Sequence, residues 1–306
     1  MAKKENTKAY IAWIMICIVW GTTYLAIRIG VKDSPALIFA GLRWLVAGPV
    51  LFMILRIRGF ALPKKNEIFP LVIISITLLG FGNGCLVFSE QWLPSGLAAL
   101  LVTTVPFWIA GLEFLMPKGS KINMITTLGL LLGLGGVVII FNSEINFLLD
   151  PSYRGGIIGL MIGVFGWSVG TIYTKYRKIN VHPLMGASIE MIFAGILLTS
   201  VGLFLGEGQR FTFTSSSLLA FIYLIIFGAI FGYASFIYAV NHLPVSFVST
   251  YAYINPVIAL FLGWWILGEE LSITIIISAF VIFSGVALVK KGSSMQNSKV
   301  VKDSQK

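Results

Sequence analysis

The stretch "LPSGLAALLVTTVPFW" at residues 93–108 is matched in pattern by "LPVSFVSTYAYINPVI" at residues 243–258. Pro94 and Pro106 map onto Pro244 and Pro256 at one offset, 150 residues, with no gap. Each pair lies in a long apolar run, where an interior proline removes a helix hydrogen bond and kinks or breaks the helix. A lone proline of this kind is a packing kink in many membrane helices. Two in register point to a duplicated architecture.

The surroundings name the solvent. Of the 306 residues, 57% are hydrophobic and 11% charged, whereas a soluble chain carries about 25% charged residues. A soluble core of this size could not absorb so much apolar surface, and the remainder would aggregate. The chain reads as an all-α integral membrane protein. A transmembrane helix needs about 20 apolar residues, and ten such runs are present: 9–28, 36–55, 69–89, 95–116, 124–141, 155–175, 183–205, 218–239, 245–267 and 271–289. The N-terminal "MAKKENTK" leads directly into the first run, which has no small-residue cleavage site and reads as an uncleaved span. Residues 292–306 form a polar, Lys-rich tail expected to be disordered and cytoplasmic.

The formal net charge of +10 would suit nucleic acid, but the basic residues fall in short segments between apolar runs, so nucleic acid is not a partner. With a cytoplasmic N terminus, the clusters Lys3–Lys4–Lys8, Arg56–Arg58–Lys64–Lys65, Lys175–Arg177–Lys178 and the tail lysines are all inside. Only Arg28, Lys32, Arg154 and Arg210 remain in outer segments. Both termini are therefore expected in the cytoplasm, with the chain multi-pass in the plasma membrane.

An offset of 147 extends the duplication to the earlier spans: Trp20 matches Trp167, Arg28 matches Lys175, Arg43 matches Glu190, and Gly48 matches Gly195. The repeats are expected at 9–141 and 155–289, with five spans each. Because five is odd, the second must enter the membrane inverted, as in secondary transporters whose site lies between the halves. Pro106 and Pro256 then become helix breaks at membrane depth, releasing the carbonyls of Val102 and Ala252 beside Thr103, Thr104, Tyr253 and Asn255.

Charged residues inside spans cost about 2.5–3.5 kcal/mol at a helix centre and are functional candidates by default. Arg43 lies about 10 Å below the outer interface and Glu190 about 10 Å above the inner one, so a direct pair requires Arg43 to reach inward. Glu90 is the better depth match for Arg43. Arg43 is a candidate for binding a carboxylate or for a buried structural cation, and Glu190 or Glu90 for a proton carrier or ammonium partner. Glu113 reads as an interfacial carboxylate beside Lys118 and Lys121, and Lys175 as a snorkelling residue. Among the many aromatics, Trp20, Tyr24, Trp108, Trp167, Tyr238 and Tyr253 are placed toward the interior, where they could stack on a solute or hold a cation. Asn83, in "GFGNG" at 80–84, adds a polar group at a flexible point, and Asn255 another. Glycine rows along several spans suit close internal packing, with a homodimer as the lesser alternative to a monomer. Cys17 and Cys85 lie in apolar runs and form no disulfide or metal framework. A phosphate-binding loop motif, a histidine cluster and an activated serine are all missing, so neither an enzyme nor a cofactor or metal is expected.

With "VWGTTYLAIRIG" at 19–30, Arg43, "EQWLPSGLAALLVTTVPFW" at 90–108 and "INPVIALFLGWWILGEEL" at 254–271 in view, the chain resembles the drug/metabolite transporter superfamily, specifically its EamA family of two tandem repeats. The resemblance spans roughly residues 9–290. It implies a transporter exporting a small organic solute: an amino acid, metabolite or drug. Residues 116–121, "MPKGSK", depart from the Gly-Glu often found there, so any role of that acidic position rests on Glu269. The first expectation is alternating access driven by protons or exchange. A lipid-linked carrier flippase and a non-transporting membrane scaffold are the alternatives.

Overall fold

The computed structural model describes residues 2–117, 119, 123–142, 144–177, 179–267 and 273–303, which are helical apart from turns, short 3-10 segments and connections. The helices are α1 (Ala2–Gly21), α2 (Thr23–Asp33), α3 (Ala36–Ile57), α4 (Lys65–Ser89), α5 (Ser95–Val102), α6 (Val105–Leu115) and α7 (Met124–Ile140). They continue as α8 (Arg154–Tyr176), α9 (Pro183–Phe204), α10 (Ser215–His242), α11 (Val245–Val248), α12 (Tyr251–Leu267) and α13 (Ile273–Asp303).

Among the described residues, eight helical stretches are long and apolar enough to cross a membrane. α1 and α2, bent by 41°, make a ninth. The remaining apolar helix, α7, has 17 residues. The last helix outruns its apolar stretch: α13 continues to Asp303 through the polar residues at 292–303, a run that contains no proline or glycine beyond Gly292. Glu269 and its turn lie outside the described residues.

Equivalent helices of the two repeats pack against each other in antiparallel pairs. A Cβ on Gly41 would come within 2.5 Å of the Thr199 backbone nitrogen, and one on Gly195 within 2.7 Å of the Leu45 backbone nitrogen, so α3 and α9 touch backbone to backbone. The second seam joins α7 and α13, where a Cβ on Gly285 would sit 2.6 Å from the Gly133 nitrogen. Along α8, Gly163, Gly166 and Gly170 receive the Cys85, Phe81 and Thr77–Leu78 region of α4. The glycine rows are thus used inside one chain, where small residues let helices approach. Two buried carboxylates tie these elements to the connecting segments. Glu207 Oε2 accepts from the Ile38 nitrogen in the first turn of α3 (2.9 Å), and Glu67 Oε1 accepts from the Asn180 nitrogen just before α9 (2.7 Å).

The breaks in the proline-bearing spans have a cause beyond proline. Helix α5 stops at Val102 and α6 starts at Val105, with Pro106 in its first turn, where a missing N–H costs nothing. In the second repeat the interruption lies at Ser249–Thr250, between α11 and α12, and Pro256 sits inside α12. Pro256 is therefore not where the span divides. Both interruptions carry paired hydroxyls that bond back to carbonyls three residues earlier. Thr103 and Thr104 reach Leu100 (2.5 Å) and Leu101 (2.8 Å). Ser249 and Thr250 reach Ser246 (3.0 Å) and Phe247 (2.6 Å). Such back-bonding competes with the helical ladder and bends it. Trp13 Nε1 donates to the carbonyl of Val248 at the second break (3.2 Å).

Candidate functional site

Two π-helical segments lie at matched places, Ser75–Asn83 within α4 and Leu224–Tyr233 within α10. A π-turn widens the ring and misaligns the ladder, and such turns recur at functional sites. Each holds a glycine on which the other repeat's matched tryptophan rests. A Cβ on Gly82 would meet Trp167 Cε3 at 2.8 Å, and a Cβ on Gly232 would meet Trp20 Nε1 at 2.3 Å. The two glycines are 150 residues apart and the two tryptophans 147 apart, so the crossing is reciprocal. Trp20 Nε1 also donates to the Gly228 carbonyl (3.2 Å), and the indoles of Trp20 and Trp167 meet edge to face at 5.4 Å.

This crossing forms one wall of a central cavity with about 80 Å3 of room for the centres of water-sized molecules, enough for several waters at about 10–15 Å3 each. Both repeats line it. Trp20, Tyr24, Arg43 and Asn83 come from the first, and Trp167, Tyr233 and Tyr251 from the second. The walls are mostly apolar and aromatic, with few polar groups, the usual make-up of a site for a small organic molecule.

The polar groups are repeat-matched as well. Arg43 Nη2 donates to Asn83 Oδ1, which also accepts from Trp44 Nε1 at 3.3 Å. In the second repeat Tyr233 Oη donates to Glu190 Oε2 at 2.7 Å. Glu190 occupies the position of Arg43, and Tyr233 that of Asn83. Arg43 and Glu190 are 2% and 1% exposed and each is held within its own repeat, so the residues aligned by sequence do not form a pair. Arg43 stacks over Trp44 at 4.6 Å and keeps its Nε without a hydrogen-bond partner. Glu90 lies under the influence of Arg28 and Arg43, and both of its buried carboxylate oxygens lack a hydrogen-bond partner.

Five of the residues expected at the site from sequence thus line the cavity: Trp20, Tyr24, Arg43, Asn83 and Trp167. The others do not. Trp108 is 39% exposed and packs edge to face against Phe165 of α8, outside the cavity lining. Tyr238 stacks on His242 one turn later, at 4.2 Å. Tyr253 is buried against Gly133 and donates to the Leu130 carbonyl, so it serves the α7 seam. Thr103 is spent on its own backbone, and the Asn255 side chain faces the carbonyls of Tyr251 (2.9 Å) and Cys17 (3.1 Å), to which its amide donates when its nitrogen is turned toward them. Glu113 is buried and accepts from Tyr176 Oη at 2.8 Å; its expected neighbours Lys118 and Lys121 lie outside the described residues. Lys175 does not snorkel: its ammonium donates to the carbonyls of Leu243 (2.8 Å) and Val240 (3.1 Å). Sequence reading missed Trp44, Tyr233 and Tyr251. The 150 offset from Asn83 would have found Tyr233.

Comparison with known proteins places the geometry. The model of the EamA-like transporter family matches twice, at residues 7–142 and 154–290. The inner membrane transporter YedA of Escherichia coli strain K12, itself uncharacterized, is 35% identical over 291 residues, covering 95% of this chain and 93% of YedA. The uncharacterized transporter YoaV of Bacillus subtilis strain 168 is 28% identical, covering 91% of this chain and 95% of its own. Protein PagO of Salmonella typhimurium is 28% identical over 86% of each chain. A protein of known crystal structure, 18% identical, shares the fold with a TM-score of 0.78 over 94% of this chain and 98% of its own. The two matched repeats and the full-length relatives make this multi-pass membrane protein a member of the EamA-like transporter family.

Proposed function

We propose that the chain is a secondary carrier that exports a small organic solute by alternating access, with the cavity between the repeats as the solute site. The observation that carries this is the reciprocal crossing of Trp20 and Trp167 onto Gly232 and Gly82, which makes one cavity out of both inverted halves. In this reading α7 is the tenth span. Its 17 residues cover about 25 Å, and it lies antiparallel along α13 from Asn123 beside Gly292 to Gly136 beside Ser278. The Lys and Arg bias puts both termini in the cytoplasm of a cell whose plasma membrane holds the carrier.

The cavity supplies flat aromatic walls and one fixed polar anchor, the Arg43–Asn83 pair. Arg43 has donor capacity left at Nε for a carboxylate or another planar acceptor. Among the buried carboxylates in this region, Glu190 is engaged by Tyr233 whereas Glu90 has unused acceptor capacity. Glu90 is therefore the better candidate to take up a proton or a solute ammonium during the cycle.

Flux into proteoliposomes of the purified protein tests the reading, with pooled amino acids and small metabolites, with and without an imposed pH gradient. A solute whose flux rises with the gradient and loses that response in Glu90→Gln supports a proton-coupled carrier. Flux accelerated by internal solute but blind to the gradient identifies an exchanger and removes Glu90 from coupling. No flux of any solute against a protein-free control overturns the carrier.

A further inference from the structure

The repeat-matched pair Arg28 and Lys175 has no role in the solute cavity, yet the structure uses both residues in the same way. Arg28, on α2, donates through Nη1 to the carbonyl of Glu90 at the end of α4. Lys175, on α8, donates through Nζ to the carbonyls of Val240 and Leu243 at the end of α10. The cations are 147 residues apart and the acceptors Glu90 and Val240 are 150 apart, the offsets of the duplication. Each cation satisfies carbonyls that a helix C terminus leaves free, and it sits at the negative end of the helix dipole. In an inverted repeat, equivalent bonds lie at opposite ends of the pathway.

Their distances from the cavity differ. Ile27 and Leu86 line it, so the Arg28–Glu90 bond lies within about one turn of the cavity. At the other end Trp167, Tyr233 and Tyr251 line it, and Lys175 and Val240 lie eight and seven positions after Trp167 and Tyr233, about 10–12 Å of helix. Thr171, Phe236 and Ile237 fill that length and are buried.

We propose that Arg28 and Lys175 are the two gate latches of the carrier, each closing one mouth by holding the end of α4 or α10, and that the two are not open together. The inference rests on the carrier reading for the order of events, but the latches can be tested without a solute. Both bonds are formed in this structure, with a short barrier at the Arg28 mouth and a longer one at the Lys175 mouth. A cation that merely capped a helix would stabilise the protein without governing access from one side.

Side-selective labelling separates these roles. In full-length protein carrying Cys17→Ala and Cys85→Ala, Tyr24→Cys reports the Arg28 mouth and Thr171→Cys the Lys175 mouth. An impermeant methanethiosulfonate reagent is applied to right-side-out and everted vesicles. Lys175→Gln is expected to raise labelling at position 171 from the cytoplasmic face about tenfold, the order set by one charge-assisted hydrogen bond. The same variant should lower labelling at position 24 from outside, and Arg28→Gln should give the mirror image. Lys175→Arg, which keeps a cationic donor, should match the parent and serves as the folding control. Unchanged labelling in folded Gln variants would overturn the latches, and a rise at one mouth without a fall at the other would overturn their linkage. Normal latch responses in a protein that moves no solute would uphold the latches and sink the carrier reading.

Discussion

The two repeats share a frame and differ at its centre. Their equivalent helices meet in glycine seams, each π-helical segment seats the other repeat's tryptophan, and each broken span carries a pair of hydroxyls at the interruption. The polar pairs are unlike: Arg43 with Asn83 against Glu190 with Tyr233. Backbone packing must be obeyed by both halves if they are to close around one axis, so it tolerates little divergence. In the proposed carrier the solute is not symmetric, and groups facing it would be free to differ. On that reading the comparison divides the molecule into parts that hold it together and parts that would select what it carries.

The largest effect expected from this division is on Arg43. Arg43→Lys should reduce solute flux about a hundredfold while the protein still folds, because a point charge cannot replace a planar donor fork held on Asn83. Glu190→Gln should cost only about threefold, since the amide oxygen still accepts from Tyr233. Equal losses in a flux assay would mean that the centre is functionally symmetric.

The seam comes next. Gly195→Ala forces a methyl group against the Leu45 backbone and should destabilise the protein by about 1–3 kcal/mol, read as a lower unfolding temperature in detergent. Gly111→Ala, with nothing within 4 Å of the new Cβ, should leave that temperature unchanged or slightly higher. A Gly195→Ala protein as stable as the parent would remove the seam as the fixed part of the frame.

The tryptophan seats should respond less, because a side chain rather than backbone must yield. Gly232→Ala should cost about 1 kcal/mol, with Gly82→Ala lower still, since the new Cβ would crowd Trp20 more closely than Trp167. Intrinsic fluorescence in the two variants distinguishes a displaced indole from a rigid one, and an unshifted spectrum in both would remove the crossing as the cavity wall.

The smallest effect concerns the connection before α9. His182 Nδ1 accepts from the Leu184 nitrogen at 3.3 Å and caps that helix. Partial burial, and secondly the nearby charge of His242, holds the His182 pKa below its usual 6.5. The folded protein therefore binds this proton less readily than the unfolded chain, and stability falls as pH drops through 6.5 toward the lowered folded value. The loss should be under about 1 kcal/mol, the scale of one cap, and absent in His182→Asn. A pH-independent unfolding temperature across that window in the parent would refute it.

Much of this was open to reading along the chain. Hydrophobic runs are local and must match the thickness of the bilayer, so most spans announce themselves, while α7, with 17 residues, is an apolar helix shorter than those spans. The duplication is visible because matched residues keep their spacing. Trp20, Trp167, Arg43 and Asn83 stood out as rare residue types inside apolar helices and all reach the cavity. Trp108, Tyr238 and Tyr253 look the same in composition and go elsewhere, because the direction of a side chain depends on which helix packs beside it.

The sequence by itself determined the membrane class, the order of the apolar runs and the duplication, since each follows from transfer energy and spacing along one chain. The tertiary structure decided which matched residues touch. It separated Arg43 from Glu190, moved the second break from Pro256 to Ser249–Thr250, and turned Lys175 from a snorkelling cation into a helix clamp. The placing of Arg43, Glu190 and Lys175 hangs on contacts between separate segments, 40, 43 and 68 residues apart in sequence. Helix rotation and crossing set such contacts, and hydrophobicity leaves both undefined.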